Sequence, residues 1–199
     1  MSNDNEVIGR SITEPAQFGV LYERHADAVH RFAARQIGAA ADDVMSETFL
    51  VAFEKRANFD RRHVSARPWL LGIATTLVKQ YARREAVAWR GMAIALIAEI
   101  RGAPEDSIAT ASDRLDAERA VQKLERAMSR LAAGDKDVLA LYAAGDLDYR
   151  GIARALDVPV GTVRSRLNRA RRVLRIALTA SADQENDHGR TAAAAPRTV

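Results

Sequence analysis

The chain has 199 residues, enough for one large domain or two small ones, and its formal net charge is only +4. It contains no cysteine, which excludes a disulfide scaffold, a cysteine-ligated metal centre and a cysteine nucleophile. The polar N-terminus has no signal-peptide pattern, and no segment approaches the roughly 20 apolar residues that span a bilayer. A soluble, cytoplasmic protein without membrane association is therefore expected.

Charge is concentrated in three blocks of the sequence. Residues 150–178 carry eight Arg and a single acid, Asp157, for a net charge of +7. Residues 61–90 carry seven Lys and Arg and only Glu85, for +6, whereas residues 42–60 are acidic with −3. Two basic blocks and one acidic block indicate separate surfaces for separate partners.

The first part of the chain has helical periodicity. Residues 1–14 are polar and partly acidic, which predicts a flexible leader. Apolar residues then recur at spacings of three and four, which predicts a helix from Ala16 to Ile37 that ends at Gly38. Asp42 is predicted to cap a second helix through its carboxylate.

A polar, basic loop over residues 57–67 leads into a third predicted helix. Pro68 starts this helix, because its fixed φ and missing N–H are tolerated in a first turn. The pattern then decays, and residues 102–112 combine Gly, Pro, Ser, Thr and two acids, a composition typical of a linker.

Helical periodicity resumes at Asp113. Asp135 is predicted to cap a further helix, and two short helices are expected near 148–156 and 160–178. The sequence thus predicts an all-α protein with two small helical domains, the second a four-helix domain that contains a helix-turn-helix. The predicted boundaries are, in chain order, a first domain over 14–98, a flexible linker over 99–112, a second domain over 113–179 and a flexible tail over 180–199.

The two short helices carry the sharpest local signal. Asp148 can cap the first of them, a tight turn over 157–159 follows, and the second has an apolar side at spacings of four, three and four, formed by Val163, Leu167, Ala170 and Leu174. Its other side is polar and rich in Arg. Arg and Asn can read purine edges in a major groove, and further Arg side chains can neutralise phosphates. A merely solvated basic face is the alternative, but so many Arg side chains repel one another without an anionic partner.

The segment PVGTVRSRLNRARRVLR resembles the promoter-reading region of extracytoplasmic-function (ECF) sigma factors, small members of the sigma-70 superfamily of bacterial RNA polymerase subunits. The segments LYERHADAVHRFA, DDVMSETFLVAF and RPWLLGIATTLVKQYARRE resemble, in order, the conserved helices of that family's first domain. The resemblance implies that the first domain is sigma region 2, which opens the −10 promoter element, and that the second is sigma region 4, which reads the −35 element. It implies core RNA polymerase as partner, through the β′ clamp helices and the β flap, together with promoter DNA and, as an optional further partner, an anti-sigma factor.

The resemblance also assigns roles to residues of the first domain. The residues that match the polymerase-binding helix are Asp42, Asp43, Met45 and Glu47. The residues that match the −10 surface are Arg67, Trp69, Thr76, Lys79, Arg83 and Arg84, with base capture by the 57–67 loop. This sequence has Ser46 where the family usually has Gln, and Thr76 where it often has Asn. Two alternatives stay open: the acids satisfy a helix dipole, and Trp69 packs as core at a helix start.

In the second domain the resemblance points to the basic side of the last helix. The residues that match the base-reading positions are Arg164, Ser165, Asn168 and Arg169, and those expected to contact the DNA backbone are Arg171, Arg172 and Arg175. Gly151 stands where the family often has the Glu of a capping box, so only the Asp148 half of that motif remains. The resemblance implies no catalytic residue, metal or cofactor.

Three other classes of protein are alternatives to a sigma factor. A stand-alone helix-turn-helix regulator would bind duplex DNA without polymerase. An enzyme is disfavoured, because none of the four His residues stands at metal-ligand spacing and no phosphate-binding or nucleophile motif occurs. A module that only binds other proteins leaves the +7 segment unexplained.

Overall fold

The computed structural model describes residues 2–84 and 122–179, so the predicted linker, the predicted tail and the boundary at residue 98 lie outside the described residues. Within these two ranges the regular secondary structure is helical and contains no strand. The prediction of an all-α fold is confirmed. No helix in the described ranges is both long and apolar enough to cross a membrane.

The N-terminal half comprises α1 (Asp4–Ser11), α2 (Gly19–Ile37), α3 (Ala41–Lys55) and α4 (Arg67–Arg84), with 3₁₀ turns at Pro15–Phe18, Gly38–Ala40 and Arg56–Asn58. The C-terminal half comprises α5 (122–129), α6 (Ala133–Ala144), α7 (Tyr149–Leu156) and α8 (Val160–Thr179). The helix boundaries therefore follow the predicted periodicity closely in both halves.

The prediction of a flexible N-terminal leader is wrong. Asn3 caps α1 by accepting a hydrogen bond of 2.9 Å from the Glu6 N–H, and Val7 and Ile8 are buried in the core. A helix of eight residues with two buried apolar side chains is too short to produce a clear periodic signal, and its order comes from packing against the rest of the N-terminal half.

Two predicted helix caps also differ from the structure. Gly38 does end α2, with a φ of +55°, but the chain passes through a 3₁₀ turn directly into α3. The N-cap of α3 is consequently Ala40, and no side chain caps it; Asp42 lies in the first turn, where its charge favours the helix dipole. Asp135 likewise lies in the first turn of α6, whose N-cap is Ala132.

The core is continuous across both halves. In the N-terminal half α2, α3 and α4 pack together around fully buried residues such as Phe32 and Leu70. In the C-terminal half α6, α7 and α8 enclose Ile152 and Leu167 in the same way. Each three-helix unit thus buries its own apolar face, which fixes the orientation of its helices.

Helix α4 packs against α7 across the boundary between the halves. Gly72 lies so close to the carbonyl oxygen of Ala155 that a Cβ at this position would overlap with it. Polar contacts flank this approach: Arg35 Nη1 donates to the Ala143 carbonyl at 3.0 Å, and Lys79 Nζ lies 2.6 Å from an oxygen of Asp137. The two halves therefore form a closed arrangement in this structure.

Candidate nucleic-acid interface

Helices α7 and α8 form the helix-turn-helix that the sequence predicts. The Asp148 carboxylate accepts a hydrogen bond of 2.6 Å from the Gly151 N–H and caps α7, as predicted. Asp157 ends α7 in the left-handed conformation, with a φ of +51°, and Pro159 precedes the first residue of α8. The four predicted apolar positions of α8 are all buried: Val163, Leu167, Ala170 and Leu174.

The opposite side of α8 faces away from the core. The predicted site residues that are exposed on this side are Arg164, Ser165, Asn168, Arg169, Arg172 and Arg175. Arg164, Ser165 and Asn168 lie in the first half of the helix, the part of a recognition helix that meets base edges in the major groove. Guanidinium and carboxamide groups in these positions can form bidentate hydrogen bonds to guanine and adenine.

Arg169 is held by α6. Its Nε lies 2.7 Å and its Nη2 2.9 Å from the two carboxylate oxygens of Asp135, whose side chain is only 3% exposed. The hydrogen bonds and charge of Asp135 raise the pKa of the Arg169 guanidinium. Asp135 was predicted as a cap; instead it orients α8 against α6, a role that no local sequence pattern indicates.

Arg171 also turns toward α6, because its guanidinium lies 4.6 Å from the centre of the Tyr142 ring. Its side chain is half-buried, in contrast to Arg172 and Arg175. A cation over an aromatic face is held by the negative potential of the ring. Of the seven predicted −35 residues, Arg169 and Arg171 thus contact α6 in this structure, while the other five project outward.

Two residues of the predicted −10 surface, Trp69 and Thr76, line a cavity of about 590 Å³ between the halves. Its walls include Phe59, Trp69 and Thr76 from the N-terminal half and Arg154 from α7. Trp69 is half-buried with its ring centre 5.1 Å from that of Phe59, so it packs on the core and also borders the cavity. Thr76 is exposed and donates a hydrogen bond of 3.3 Å to the Gly72 carbonyl.

Two cationic residues of this surface contact the C-terminal half. Lys79 pairs with Asp137 at 2.6 Å, and Arg67 lies 3.4 Å from a carboxylate oxygen of Asp146. Arg83 and Arg84 are the last two residues of α4, and their side chains lie outside the described part. The closed arrangement therefore pairs two of the predicted DNA-binding cations with acids of the other half.

The predicted polymerase-binding residues lie on α3. Asp42 and Asp43 are exposed, whereas Met45 and Glu47 are half-buried. Leu50 is 58% exposed and lies three residues after Glu47 on the same side of the helix. Leu50 is not among the residues predicted from the sequence, although its helical spacing from Asp43 and Glu47 places it on the same side of α3.

The residues described here include no group of three or more His, Cys, Asp or Glu side chains arranged to hold a metal ion. Between α3 and α4, residues 59–66 form a loop that carries further charge. Within this loop Arg62 pairs with Asp60 at 2.7 Å, and hydrogen bonds from Arg62 hold the pKa of Asp60 well below its usual range.

Comparison with known proteins identifies both halves. Residues 21–87 match the family described as Sigma-70 region 2, and residues 121–174 match the family described as Sigma-70, region 4. The ECF RNA polymerase sigma factor SigL of Mycobacterium tuberculosis is 30% identical over 178 residues, which cover 86% of this chain and 94% of SigL. SigC of the same organism is 31% identical over 135 residues, 68% of each chain.

Two solved structures share the fold. CnrH, in complex with the cytosolic domain of CnrY, superimposes with a TM-score of 0.59 at 23% identity, covering 89% of this chain and 97% of CnrH. The sigma factor RpoE of Bartonella quintana, in complex with the anti-sigma factor NepR, has a TM-score of 0.52 at 23% identity and covers 81% of this chain and 96% of RpoE.

Proposed function

The chain belongs to the ECF sigma factors of the sigma-70 superfamily, the RNA polymerase subunits that direct promoter-specific transcription initiation, and we propose that it divides promoter recognition between its two halves. The C-terminal half reads the −35 element and the N-terminal half opens the −10 element. The observation that carries this proposal is the helix-turn-helix, whose second helix is buried on one side and presents Arg164, Ser165 and Asn168 on the other.

In this proposal the first half of α8 reads bases and its second half contacts the backbone. Arg164, Ser165 and Asn168 lie where a recognition helix meets base edges, while Arg172 and Arg175 lie further along, where the helix leaves the groove. Arg169 acts differently from the base readers, because Asp135 holds its Nε and Nη2 groups. Its proposed role is to fix the angle at which α8 enters the groove.

The −10 element is proposed to bind the loop over 59–66 and the adjacent face of α4. Trp69 offers a ring on which a base of a separated strand can stack, and such stacking contributes about 1–3 kcal/mol per base. Arg67 and Lys79 can neutralise phosphates on either side of it. The proposed role of Thr76 is a hydrogen bond to a base, over a shorter reach than the Asn usual in the family.

The polymerase is proposed to dock on α3. The exposed carboxylates of Asp42 and Asp43 provide charge complementary to a basic surface, and Met45 and Glu47 extend the contact along the helix. The exposed side chain of Leu50 supplies the apolar centre that a stable interface requires. The resemblance assigns this contact to the β′ clamp helices and implies the β flap as a second contact on the polymerase.

Binding to both elements requires the halves to separate. The −10 and −35 positions differ by 25 base pairs, which corresponds to roughly 85 Å along B-form DNA at 3.4 Å per base pair. Gly72 and Ala155 are instead in direct contact, so one closed molecule cannot reach both elements. In the proposed mechanism, opening releases Lys79 and Arg67 from Asp137 and Asp146 for contact with DNA.

The polymerase performs the chemistry of transcription, and in this proposal the chain adds no catalytic step of its own. The proposed location is the cytoplasm, where polymerase and DNA are found. An anti-sigma factor is a further proposed partner, because CnrH and RpoE share the fold and RpoE was solved with the anti-sigma factor NepR. Such a partner would act by keeping the DNA-binding residues covered.

The decisive experiment is run-off transcription with core polymerase on promoters randomised at both elements. A sigma factor should enrich one −35 and one −10 sequence, and only when core polymerase is present. A gel shift without polymerase provides the comparison with a stand-alone regulator. Tight, sequence-specific binding of the isolated protein to duplex DNA, with no stimulation of transcription, would contradict the proposal.

A further inference from the structure

Helix α1 is tied to the loop between α3 and α4 by a set of polar contacts. The backbone N–H of Asp4 donates to the Val64 carbonyl at 3.2 Å. Asn5 contacts the loop in both directions, because its Nδ2 donates to the Arg61 carbonyl at 2.5 Å and its Oδ1 accepts from Arg61 Nε at 3.2 Å. Residues 61 to 64 thus run along the N-terminal end of α1.

Asp4 joins this loop to the start of α4. Its carboxylate accepts a hydrogen bond of 2.8 Å from the Ala66 N–H, one residue before α4 begins. The same carboxylate lies 2.7 Å from His25 Nε2 and 3.0 Å from Arg24 Nη1 on α2. Burial by itself raises the pKa of Asp4, but the hydrogen bonds from His25, Ala66 and Arg24 outweigh it and lower the pKa to about 2.

Gly9 allows the closest approach between α1 and the loop. The guanidinium of Arg61 lies directly against its backbone, and a Cβ at this position would overlap with Arg61. The side chain of Arg61 therefore lies along the surface of α1, at a position that is itself exposed. Together with Asn5, Gly9 fixes the position of residue 61 in the loop.

The contacts with α1 occupy one side of the loop, whereas the other side is partly exposed and partly borders the cavity. The side chain of Arg62 is 88% exposed, and Val64 is 69% exposed. His63 borders the cavity together with Trp69. The loop is thus ordered by its contacts with α1. Its other side presents polar and apolar groups beside the ring of Trp69, the proposed base-stacking residue.

We infer that α1 is a positioning element for −10 recognition, in which Asp4 and Asn5 hold the loop over 59–66 in the geometry that binds separated DNA. The inference rests on the proposed function, because it assigns the loop to the −10 element. Its physical basis is preorganisation. A loop that is already ordered does not have to lose backbone freedom when it binds.

Point variants test this better than removal of the segment, because Val7 and Ile8 are part of the core. Asn5→Ala removes both contacts with Arg61, and Asn5→Asp keeps an acceptor for its guanidinium. Asp4→Asn removes the charge at the junction of the loop and α4. Glu6→Ala, at an exposed position on the same helix, is the matched control.

Each variant is assayed as holoenzyme on two promoter libraries, one randomised at −10 and one at −35, alongside its affinity for core polymerase and its thermal unfolding. Asn5→Ala should reduce initiation from the preferred −10 sequence by about tenfold and flatten the −10 profile, as expected when a preorganised loop loses its support. The −35 profile and the affinity for core polymerase should match those of the wild type. Asn5→Asp should recover part of the loss, and Glu6→Ala should behave as the wild type.

An Asn5→Ala protein with an unchanged −10 profile would overturn the inference, as would an equal loss on both libraries, which indicates general destabilisation. If Asp4→Asn does not fold, the two Asn5 variants decide the question, because Asn5 contributes no buried charge. A wild-type holoenzyme without any −10 preference would overturn the proposed function, and the inference with it. If the wild-type holoenzyme shows a clear −10 preference and Asn5→Ala does not change it, the inference fails while the proposed function stands.

Discussion

The proposed recognition helix α8 and the proposed −10 surface on α4 both carry cationic side chains, but those on α8 are mostly exposed and two of those on α4 are ion-paired. On α8 the exposed Arg164 and Asn168 project away from a buried apolar side. On α4 the cations Arg67 and Lys79 instead form ion pairs with the other half of the molecule. The difference teaches that helical periodicity alone leaves the proposed base-reading side of α8 exposed, whereas these two cations on α4 are held by packing between the two halves.

The strongest expected effect is a difference in stability between substitutions at two adjacent residues of α8, one buried and one exposed. Leu167 is 1% exposed, so Leu167→Ala should lower the free energy of unfolding of the C-terminal half by about 2–5 kcal/mol through lost burial and a residual cavity. Asn168→Ala, one position further, should change stability by less than about 0.5 kcal/mol, as surface substitutions do. Chemical denaturation of both variants measures this contrast, and equal destabilisation would contradict the orientation of α8.

On the exposed side of α8, base reading should separate from backbone contact. Asn168→Ala should cost about 1–3 kcal/mol on the preferred −35 element and relax the preference at one base pair. Arg172→Ala should weaken initiation on all sequences about equally and reduce the salt dependence of binding. A randomised −35 library, transcribed at two salt concentrations, distinguishes these effects. The division would be refuted by a sequence profile that responds to Arg172→Ala but not to Asn168→Ala.

The N-terminal half should lose stability in acid through Asp4. The folded-state pKa of this group, about 2, lies below its ordinary value of 3.8, so the stability that it contributes is present above about pH 4 and is lost as the pH falls toward 2. The shift corresponds to about 2 kcal/mol. Asp4→Asn should therefore unfold with a weaker pH dependence between pH 5 and pH 2, measured by denaturation. Asp27→Asn, at a side chain that is 77% exposed, should retain the wild-type dependence.

The smallest expected effect is on the contacts between the halves. The Asp137 side chain is 14% exposed and lies 2.6 Å from Lys79, whereas Asp146 is 84% exposed and lies 3.4 Å from Arg67. Asp137→Asn should favour the open arrangement by up to about 1 kcal/mol, and Asp146→Asn by less, because solvent screens the exposed pair. Fluorescence energy transfer between labels on α3 and α8 of the free protein measures the shift. A larger response to Asp146→Asn would reverse this ranking.

The sequence predicted those features that depend on nearby residues. The periodicity of α8, the Asp148 cap and the turn at Asp157 are all encoded within a few positions, and the structure confirms each of them. The family resemblance likewise rests on local motifs, and comparison with known proteins confirms it. The roles of the predicted site residues stay predictions.

Features that join distant parts of the chain were missed or misread. Asp135 was predicted as a cap, yet it pairs with Arg169, 34 positions away. Asp4 was placed in a flexible leader, yet its carboxylate contacts Ala66 across 62 positions. No pattern of spacing connects such pairs, since each exists only because helices from different parts of the sequence pack side by side.

By itself, then, the sequence determined the helices, their buried faces and the family, because helical periodicity, capping and motif order are properties of neighbouring residues. Only the tertiary structure decided which of the similar cations are free and which are held. Arg164 and Arg172 are exposed, Arg169 is anchored to α6, and Lys79 crosses to the other half. The physical reason is that a charged side chain takes its role from the partner that packing brings within a few ångströms, and that partner is set by the fold.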